Sequence, residues 1–454
     1  MSEPCVFLFP GQGAYCPGIL GLLADPLVDE TLDRIDQAAE RLGRPPVSRL
    51  LLEKGSPTLD ELVEESPPDL HLAIFAAEMV LFELLTRRCG LRPDVLAGHS
   101  FGELIALTAA GVFALEDGVA LVAARDQALT EARPGAGGMV AVNVPAARAR
   151  QLIGATGEWA VEIAADNGPG QCVLSGPRAA LQRILKAAEA LGLQATHLRV
   201  PYPFHNRMLA GSAWLFTERA ARLPSHAPGY RVYSPILGRI LEGTEDASEL
   251  VAAHLTRPTG FHTALRELHA EGVRVFIECG PRGILTDLVS SAVVGVRTIA
   301  PLQYRVDMDS LFATIRDLRP DGAAAAVPAP PPAGGTPGEA EHRVGAVAVT
   351  PEETAPSDVS VLPEHDVLVA ELREMYADAL GYPPDVLTPL ADLEADLGID
   401  SLKQSGLLAQ ALERYGRKLP DSGERLTSYT TLSAVADFIS GLPVVIDEDG
   451  GGDQ

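Results

Sequence analysis

Short apolar segments alternate with glycine-rich turns and longer apolar stretches in the first part of the chain. Val6 to Phe9 is a continuous apolar run that ends at Pro10 and Gly11. Val95 to Ala97 is a second such run, and after a serine placed between two glycines an apolar stretch extends from 104 to 112. A short apolar run stopped by glycine or proline is typical of a buried strand. The order strand, turn, helix therefore predicts a parallel α/β layer.

A compact series of shorter elements follows between 137 and 200. The pattern predicts strands at 139–142, 160–164, 172–174 and 196–200, with helices at 145–153 and 179–191. The order β-α-β-β-α-β is that of a split βαβ, ferredoxin-like unit. We expect an inserted subdomain, from about 134 to 200, that covers one side of the larger α/β core. A cleft between the two is the natural place for a site.

Apolar positions recur at helical spacing near the C-terminus. The pattern predicts helices at 366–380, at Ser401 to about Tyr415, and at 431–439. From 366 to 442 there are 13 Asp and Glu against 6 Lys and Arg. These features predict a small acidic bundle of the four-helix type.

A change of composition separates the two folded parts. Pro, Ala and Gly dominate from 320 to 363, and almost no large apolar residue occurs there. Such a segment buries too little apolar area to offset the entropy of ordering it. The predicted organisation is an α/β unit at 1–319, a linker at 320–363, a helical unit at 364–442 and an acidic disordered tail at 443–454.

Charge and composition exclude several classes of function. The 454 residues carry a formal net charge of −25, which repels nucleic acid and anionic membranes. The five cysteines show no paired spacing, so neither a metal site nor a disulfide framework is expected. No basic leader and no apolar run of membrane-spanning length occurs. We expect a cytoplasmic protein with no metal.

One serine has the surroundings of a nucleophile. Ser100 stands between Gly98 and Gly102, after the strand and before the helix described above. Glycines at these positions permit a strained turn that lifts the hydroxyl out of the sheet, and the N–H groups of the helix N-terminus can stabilise a negative charge. The bare pattern fits an ordinary loop as well, but the flanking strand and helix favour a nucleophile elbow.

Several motifs in a fixed order resemble one family over about residues 5–318. The family comprises the malonyl-CoA:acyl carrier protein transacylases and the acyltransferase domains of polyketide synthases. The resemblance implies an acyltransferase core of the α/β-hydrolase type with the ferredoxin-like insert. It rests on the following motifs: Phe9-Pro10-Gly11-Gln12-Gly13, Gly98-His99-Ser100-Phe101-Gly102-Glu103, Ala110-Gly111-Val112, Asn167-Gly168-Pro169-Gly170, Pro203-Phe204-His205 and Glu278-Cys279-Gly280-Pro281.

The resemblance also implies catalytic roles. Ser100 is expected to be the nucleophile and His205 the base that activates it. A backbone carbonyl, expected to be that of His254, would orient the imidazole, and a carbonyl makes no demand on the type of side chain at 254. The backbone N–H groups of Gln12 and Phe101 would form the oxyanion hole. Asn167 is expected nearby.

Arg125 is expected to bind the substrate's free carboxylate. In the family an arginine here pairs bidentately with the carboxylate of a malonyl-type acyl group, a geometry that lysine cannot copy. The alternative is an ordinary ion pair with Asp126 or Glu116.

Two positions depart from the family's usual pattern and bear on specificity, and a third, Phe101, is bulkier than in some relatives. His71 stands where glutamine is common, so the sequence does not decide whether the usual hydrogen bond from this position to the substrate is made. Tyr202 matches the methylmalonyl-selective pattern, whereas Phe204 matches the malonyl-selective one. Pockets that select by size discriminate by only about 1–3 kcal/mol per methylene. The α-substituent is therefore not decided by the sequence.

A second serine resembles the attachment site of an acyl carrier protein. Ser401 follows Gly398-Ile399-Asp400 at the start of a predicted helix. A helix N-terminus accommodates the phosphodiester of a 4′-phosphopantetheine arm. An ordinary helix cap is the alternative. The acidic surroundings are expected to meet basic patches on enzymes, including the phosphopantetheinyl transferase that modifies Ser401.

Together these features predict an acyltransferase fused to a carrier domain of a polyketide or related pathway. It would move a malonyl-type acyl group from a CoA thioester to Ser100 and then to a phosphopantetheine thiol, on its own or another carrier domain that serves downstream synthase modules. The alternatives are a hydrolase that edits acyl carriers, transfer of a non-malonyl acyl group between carrier proteins, and an idle docking scaffold.

Overall fold

The computed structural model describes residues 3–318, 363–380, 387–389, 391, 393, 401–415, 417 and 431–442. The chain divides into two compact units, Met1–Ala323 and Ala324–Gln454. Of the predicted linker only residue 363 is described, and the predicted tail lies outside the described residues. The domain boundaries given above therefore stay predictions.

A six-stranded sheet forms the centre of the first unit. Its order is β10-β9-β1-β2-β7-β8, and all neighbours pair in parallel except β7 and β8. The order leaves β1 and β2 adjacent, so the loops that follow them lie side by side. The strands are β1 (Cys5–Phe9), β2 (Val95–Gly98), β7 (Arg231–Ser234), β8 (Arg239–Ile240), β9 (Val275–Glu278) and β10 (Arg297–Ile299).

Helices cover both faces of this sheet. Alternate residues of β1 enter different apolar clusters, with Phe7 and Phe9 on one face and Val6 and Leu8 on the other. This alternation is expected of a strand buried on both sides. The helices of this unit outside the insert are α1 (Pro26–Arg41), α2 (Ser48–Leu52), α3 (Leu59–Glu65), α4 (Pro67–Glu83), α5 (Phe101–Ala109), α6 (Leu115–Ala132), α9 (Ala210–Ala220), α10 (Thr244–Ala253), α11 (Phe261–Ala270), α12 (Ile284–Ala292) and α13 (Met308–Thr314).

The insert has the predicted element order and its own sheet. The antiparallel order β4-β5-β3-β6 is that of a ferredoxin-like fold. Strand β4 extends further than the sequence pattern indicates, because it continues to a tight hairpin at Gly168, where φ is 145°. The insert consists of β3 (Gly137–Val142), α7 (Ala146–Thr156), β4 (Glu162–Gly168), β5 (Gln171–Pro177), α8 (Arg178–Ala190) and β6 (Ala195–Leu198).

Three helices are described in the second unit: α14 (His365–Leu380), α15 (Ser401–Arg414) and α16 (Leu432–Gly441). They lie where the sequence pattern predicts them. Their apolar positions, among them Leu372, Leu408 and Val435, are buried. The segment that would hold a fourth helix falls largely outside the described residues.

None of the helices in the described ranges is long and apolar enough to span a membrane. In the same ranges, no group of three or more His, Cys, Asp or Glu side chains is placed to hold a metal ion.

Candidate active site

Ser100 lies at a sharp turn between strand β2 and helix α5. Its backbone has φ 54° and ψ −112°, a conformation that residues other than glycine rarely adopt. The flanking glycines allow the turn to pack closely. A Cβ on Gly98 would lie 2.2 Å from the backbone nitrogen of Glu103, and one on Gly102 would lie 1.9 Å from the carbonyl oxygen of Phe9. The turn therefore has the form of a nucleophile elbow at the N-terminus of α5.

His205 reaches this serine from 105 residues further along the chain. The Ser100 hydroxyl and His205 Nε2 are 2.6 Å apart. The backbone N–H of His205 donates to the carbonyl of Leu255 at 2.9 Å. Its ring Nδ1 donates to the carbonyl of Arg257 at 2.7 Å. Because a carbonyl only accepts, the ring proton is on Nδ1, and the Nε2 lone pair accepts from the serine.

The orienting carbonyl belongs to Arg257, so the prediction that assigned it to His254 is wrong. His254 ends helix α10 with a helical backbone, φ −51° and ψ −39°. The chain then turns through 255–257 and brings the later carbonyl to the imidazole. The His254 side chain instead accepts a hydrogen bond from Arg125 Nε at 3.2 Å. His254 is thus linked to the site through its side chain rather than through its carbonyl.

The surroundings of His205 keep its imidazole neutral. Burial lowers the pKa of His205 to about 4, from an ordinary 6.5, and the nearby His99 and Arg125 act in the same direction. The Arg257 carbonyl opposes this shift without overcoming it. At neutral pH the ring is thus in the form that can accept the serine proton.

Two backbone N–H groups close to Ser100 have no acceptor within the described part of the chain. They belong to Gln12, in the loop after β1, and to Phe101, the first residue of α5. The two segments are in contact, because a Cβ on Gly11 would lie 2.4 Å from the backbone nitrogen of Gly102. Such a pair of donors can stabilise an oxyanion on an acyl group attached to Ser100.

Arg125 is a fully buried arginine held between two aromatic rings. Its guanidinium carbon lies 5.0 Å from the ring centre of Phe101 and 4.7 Å from that of Phe204. Burial lowers the pKa of Arg125 to about 10, so it stays charged at neutral pH. Its Nη1 has no hydrogen-bond partner among the described residues and lies 3.7 Å from Asp126 Oδ1. A buried cation with an unused donor is suited to a substrate anion.

Asp126 is mainly occupied by other groups. His71 Nδ1 lies 2.7 Å from Asp126 Oδ1, and Arg44 Nη1 donates to Oδ2 at 3.2 Å. Glu116 pairs with Arg34. The ordinary ion pair considered for Arg125 thus exists only at the long 3.7 Å separation.

His71 belongs to the same buried group, because its ring lies 5.6 Å from that of Phe101. Several side-chain nitrogens in this region are buried and have no partner among the described residues: Gln12 Nε2, His71 Nε2, Arg125 Nη1 and His254 Nδ1. They supply hydrogen-bonding capacity that the protein itself does not use.

Asn167 connects the insert to the elbow. Its Oδ1 lies 2.7 Å from His99 Nε2, next to the nucleophile. Its Nδ2 donates to Gln171 Oε1 at 2.6 Å across the hairpin of the insert. Tyr202 is half-buried and packs edge-on against Phe204 at 5.8 Å. The predicted site residues of the first unit are thus linked through this set of contacts.

Three groups that the structure places at or next to the site were not identified from the sequence. The carbonyl of Arg257 has no side-chain signature, so no pattern could have identified it. Asp126 was considered only as an ion-pair partner of its neighbour. Glu78 lies in an apolar stretch of α4, and a carboxyl group among apolar positions was the available signal.

Ser401 is the first residue of α15. The buried residues Gln404, Leu407, Leu408 and Ala411 place one face of this helix in the core of the second unit. A serine at the start of a 14-residue helix fits a phosphodiester, which a helix N-terminus stabilises. The residues present therefore fit a phosphopantetheine arm.

Comparisons with known proteins give matches to both units of the chain. Residues 6–314 match the family model described as acyl transferase domain. Residues 370–439 match the one described as phosphopantetheine attachment site. The spectinabilin polyketide synthase system protein NorB of Streptomyces orinoci is 40% identical over 285 residues, which are 62% of this chain and 13% of that protein. Polyketide synthase GfsA of Streptomyces halstedii is 36% identical over 64% of this chain and 4% of that protein. The chain thus spans a small part of the length of these curated relatives.

Solved structures similar to this chain are transacylases and acyltransferase domains. The malonyl-CoA:acyl carrier protein transacylase of Xanthomonas oryzae pv. oryzae is 30% identical, with a TM-score of 0.60 over 66% of this chain and 95% of that one. The acyltransferase domain from the second module of the salinomycin polyketide synthase is also 30% identical, with a TM-score of 0.59 over 69% and 73%. A type II polyketide synthase malonyl-transacylase, solved with its acyl carrier protein, is 26% identical, with a TM-score of 0.62 over 69% of this chain and 100% of that one.

Proposed function

The chain belongs to the acyl transferase domain family and carries a phosphopantetheine attachment domain, and from this premise we propose that it moves a malonyl-type acyl group from CoA to a phosphopantetheine thiol in polyketide biosynthesis. The observation that carries the proposal is the 2.6 Å contact between Ser100 and a neutral His205. The curated relatives named above are polyketide synthases, and solved neighbours are named as malonyl-CoA:acyl carrier protein transacylases.

The first half-reaction forms an ester on Ser100. The serine oxygen attacks the thioester carbonyl while His205 Nε2 takes its proton. The N–H groups of Gln12 and Phe101 stabilise the negative charge that develops on the carbonyl oxygen. The imidazolium, held by the Arg257 carbonyl, then returns the proton to the departing CoA thiolate. His205 is again neutral and can act once more as a base.

The arm on Ser401, when attached, supplies the thiol that accepts the acyl group. His205 would take the proton of the incoming thiol, and Ser100 would regain its proton when the ester is cleaved, which completes a ping-pong cycle. The accepting carrier is the chain's own second unit or that of another protein, and the phosphopantetheinyl transferase and downstream synthase modules are the other proposed partners.

Arg125 selects for a free carboxylate in this proposal. It is buried, charged and has an unused donor, so an acyl group without a carboxylate would leave its Nη1 without a hydrogen-bond acceptor. This same cost disfavours a hydrolase acting on apolar acyl chains. The unpartnered nitrogens of His71 and Gln12 are proposed to assist at the substrate, and Phe204 and Tyr202 to limit the size of the α-substituent.

The test is intact-mass analysis of the phosphopantetheinylated protein after exposure to malonyl-CoA, methylmalonyl-CoA and acetyl-CoA. The native chain is expected to gain an acyl group on Ser100 and on the arm. Ser100→Ala is expected to gain neither, and Ser401→Ala to gain it on Ser100 alone. Acylation of the arm in Ser100→Ala at the native rate would refute the mechanism. The hydrolase alternative would instead show release of free acid faster than loading of the arm.

Mixing the two variants separates the possible acceptors. Ser401→Ala can be acylated on Ser100, and Ser100→Ala presents an intact arm. Transfer between them would show loading of one chain by another. Its absence, combined with loading in the native chain at a rate independent of protein concentration, would show transfer within one chain.

A further inference from the structure

Glu78 is a buried carboxyl group in an apolar helix. It lies on α4, is fully buried, and its Oε1 accepts a hydrogen bond from the backbone N–H of Gly11 at 2.7 Å. Its Oε2 is also buried and has no hydrogen-bond partner among the described residues. Burying a carboxyl group with one contact is unfavourable compared with an apolar side chain. The contact with Gly11 is therefore the feature to explain.

Gly11 immediately precedes one of the two proposed oxyanion donors, and the loop around it is held on several sides. The carbonyl of Phe9 accepts from the backbone N–H of His99 at 2.9 Å. The carbonyl of Gly11 accepts from the N–H of Ala14 at 3.1 Å. The backbone of Gly11 has φ 66°, and its Cα is packed against the first turn of α5. Glu78 supplies the remaining contact, on the N–H side of this glycine.

These contacts determine where the next N–H group points. In a trans peptide the carbonyl and the N–H point in opposite directions. The bond from Ala14 to the Gly11 carbonyl therefore directs the N–H of Gln12 away from the turn. The orientation of the Gln12 N–H also depends on the peptide between Pro10 and Gly11, because rotation about the Gly11 backbone changes how these two peptides are oriented to each other. Glycine resists such rotation least.

We propose that Glu78 is a positioning residue for the oxyanion hole, and that its carboxyl group fixes the Gly11 peptide so that the N–H of Gln12 points at the acyl oxygen. The inference rests on the proposed function for the identity of the substrate. It adds to that function a residue that touches neither substrate nor nucleophile.

Burial favours the neutral form of this carboxyl group. Burial raises the pKa of Glu78 well above its ordinary range, and the nearby Glu278 adds to this shift, while the Gly11 N–H opposes it. A neutral carboxylic acid and a glutamine amide have the same shape and both present a carbonyl oxygen. We therefore expect a glutamine at position 78 to keep the hydrogen bond to the Gly11 N–H. Leucine has similar bulk but no acceptor.

The experiment compares Glu78→Gln with Glu78→Leu by rapid-quench measurement of Ser100 acylation from malonyl-CoA. Glu78→Leu is expected to lower kcat of acylation by about 10- to 100-fold, because a misplaced oxyanion donor loses transition-state stabilisation. Its KM is expected to stay within about twofold, since the contact strengthens only in the transition state. Glu78→Gln is expected to stay within about threefold of the native kcat.

A second readout does not depend on the acyl substrate. A fluorophosphonate that labels Ser100 places its phosphoryl oxygen where the oxyanion would lie, so its labelling rate also reports on the donors. Glu78→Leu is expected to be labelled slowly and Glu78→Gln at nearly the native rate. If the native chain accepts no acyl-CoA, the proposed function fails, whereas this readout still tests Glu78.

Asp25→Leu is the control for removing a buried carboxyl group that binds a backbone N–H. Asp25 lies at the start of α1 and accepts hydrogen bonds from the N–H of Leu27 and from Arg88 Nε. Its removal is expected to lower stability without slowing labelling of the folded protein. Equal rates for Glu78→Gln and Glu78→Leu would overturn the proposal, as would a native kcat in Glu78→Leu or an effect confined to KM.

Discussion

Ser100 and Ser401 both stand where a helix begins, yet their surroundings differ. Ser100 has a strained backbone with φ 54° and lies 2.6 Å from a histidine. Ser401 starts α15 in a separate compact unit. The field of a helix N-terminus favours negative charge in both places. In the proposed function this charge is a transient oxyanion at Ser100 and a phosphodiester at Ser401, so the same local feature would serve catalysis in one region and attachment in the other.

At Ser100 the tertiary structure adds further groups to this local feature. A base, two backbone donors and a buried cation come from the loop after β1, from α5 and α6, and from the segment after the insert. A serine hydroxyl is a weak nucleophile without such a base. Ser401, in the proposed function, needs only to be presented to the phosphopantetheinyl transferase. We therefore expect that removing any of these partners lowers the rate of Ser100 acylation, and that the loss is largest for the partner with the most direct role in the reaction.

The largest effect is expected from His205→Ala. Without the base, Ser100 should become nearly as unreactive as an ordinary serine, and the acylation rate should fall by about 10³-fold or more. Rapid-quench acylation from malonyl-CoA measures this loss. His226→Ala, which removes an exposed histidine, is the control and should retain the native rate. If His205→Ala were acylated at the native rate, His205 would not be the base that distinguishes Ser100 from Ser401.

Arg125→Ala should have a smaller and selective effect. The loss of a buried, charge-assisted contact is expected to lower kcat/KM for malonyl-CoA by about 10²-fold, while acetyl-CoA changes by less than about fivefold. Arg125→Lys keeps the positive charge but not the planar guanidinium group, so its kcat/KM for malonyl-CoA should lie between those of the native chain and Arg125→Ala. Arg34→Ala, from an exposed ion pair, is the control. Equal losses for both substrates would give Arg125 a structural role only.

The pH dependence should show the most gradual effect. The neutral form of His205 is active, and its pKa is about 4 rather than 6.5. The value of kcat/KM for acylation should therefore be constant from about pH 8 to about pH 5, and should fall tenfold per unit at pH values well below 4. The value of kcat/KM falls, rather than rises, at low pH because protonation of His205 removes the base.

Brief pH jumps are needed in this measurement, with circular dichroism to monitor folding. An unfolded histidine titrates near its ordinary pKa of about 6.5, so the folded state loses stability as the pH falls below that value. An inflection of the rate near 6.5, with the fold intact, would contradict the proposed environment of His205.

Much of the fold was predictable because its signals are local. The apolar run of β1 and its abrupt end identify a buried strand, and the spacing of elements between 137 and 200 gave the insert in the observed order. The helices of the second unit follow from periodicity alone. Ser100 and His205 were accessible through their motifs and Arg125 through the family resemblance, and the structure brings them together.

The details of the site were less accessible. The orienting carbonyl was assigned to His254, whereas the structure has that of Arg257, 52 residues from the imidazole it binds. His254 binds Arg125 across 129 residues, and His71 lies against Asp126 across 55. No sequence pattern encodes such pairs, because they depend on how α4, α6 and α10 pack on the sheet.

The sequence by itself determined the strands and helices, the glycines that permit the elbow, and the residue types available for catalysis. These follow from backbone sterics and apolar periodicity, which act over a few residues. Only the tertiary structure decided which carbonyl orients His205, which groups surround Arg125, and that Glu78 contacts the loop of Gln12. Such contacts join distant segments, and their distances are set by the burial of apolar faces in one common core.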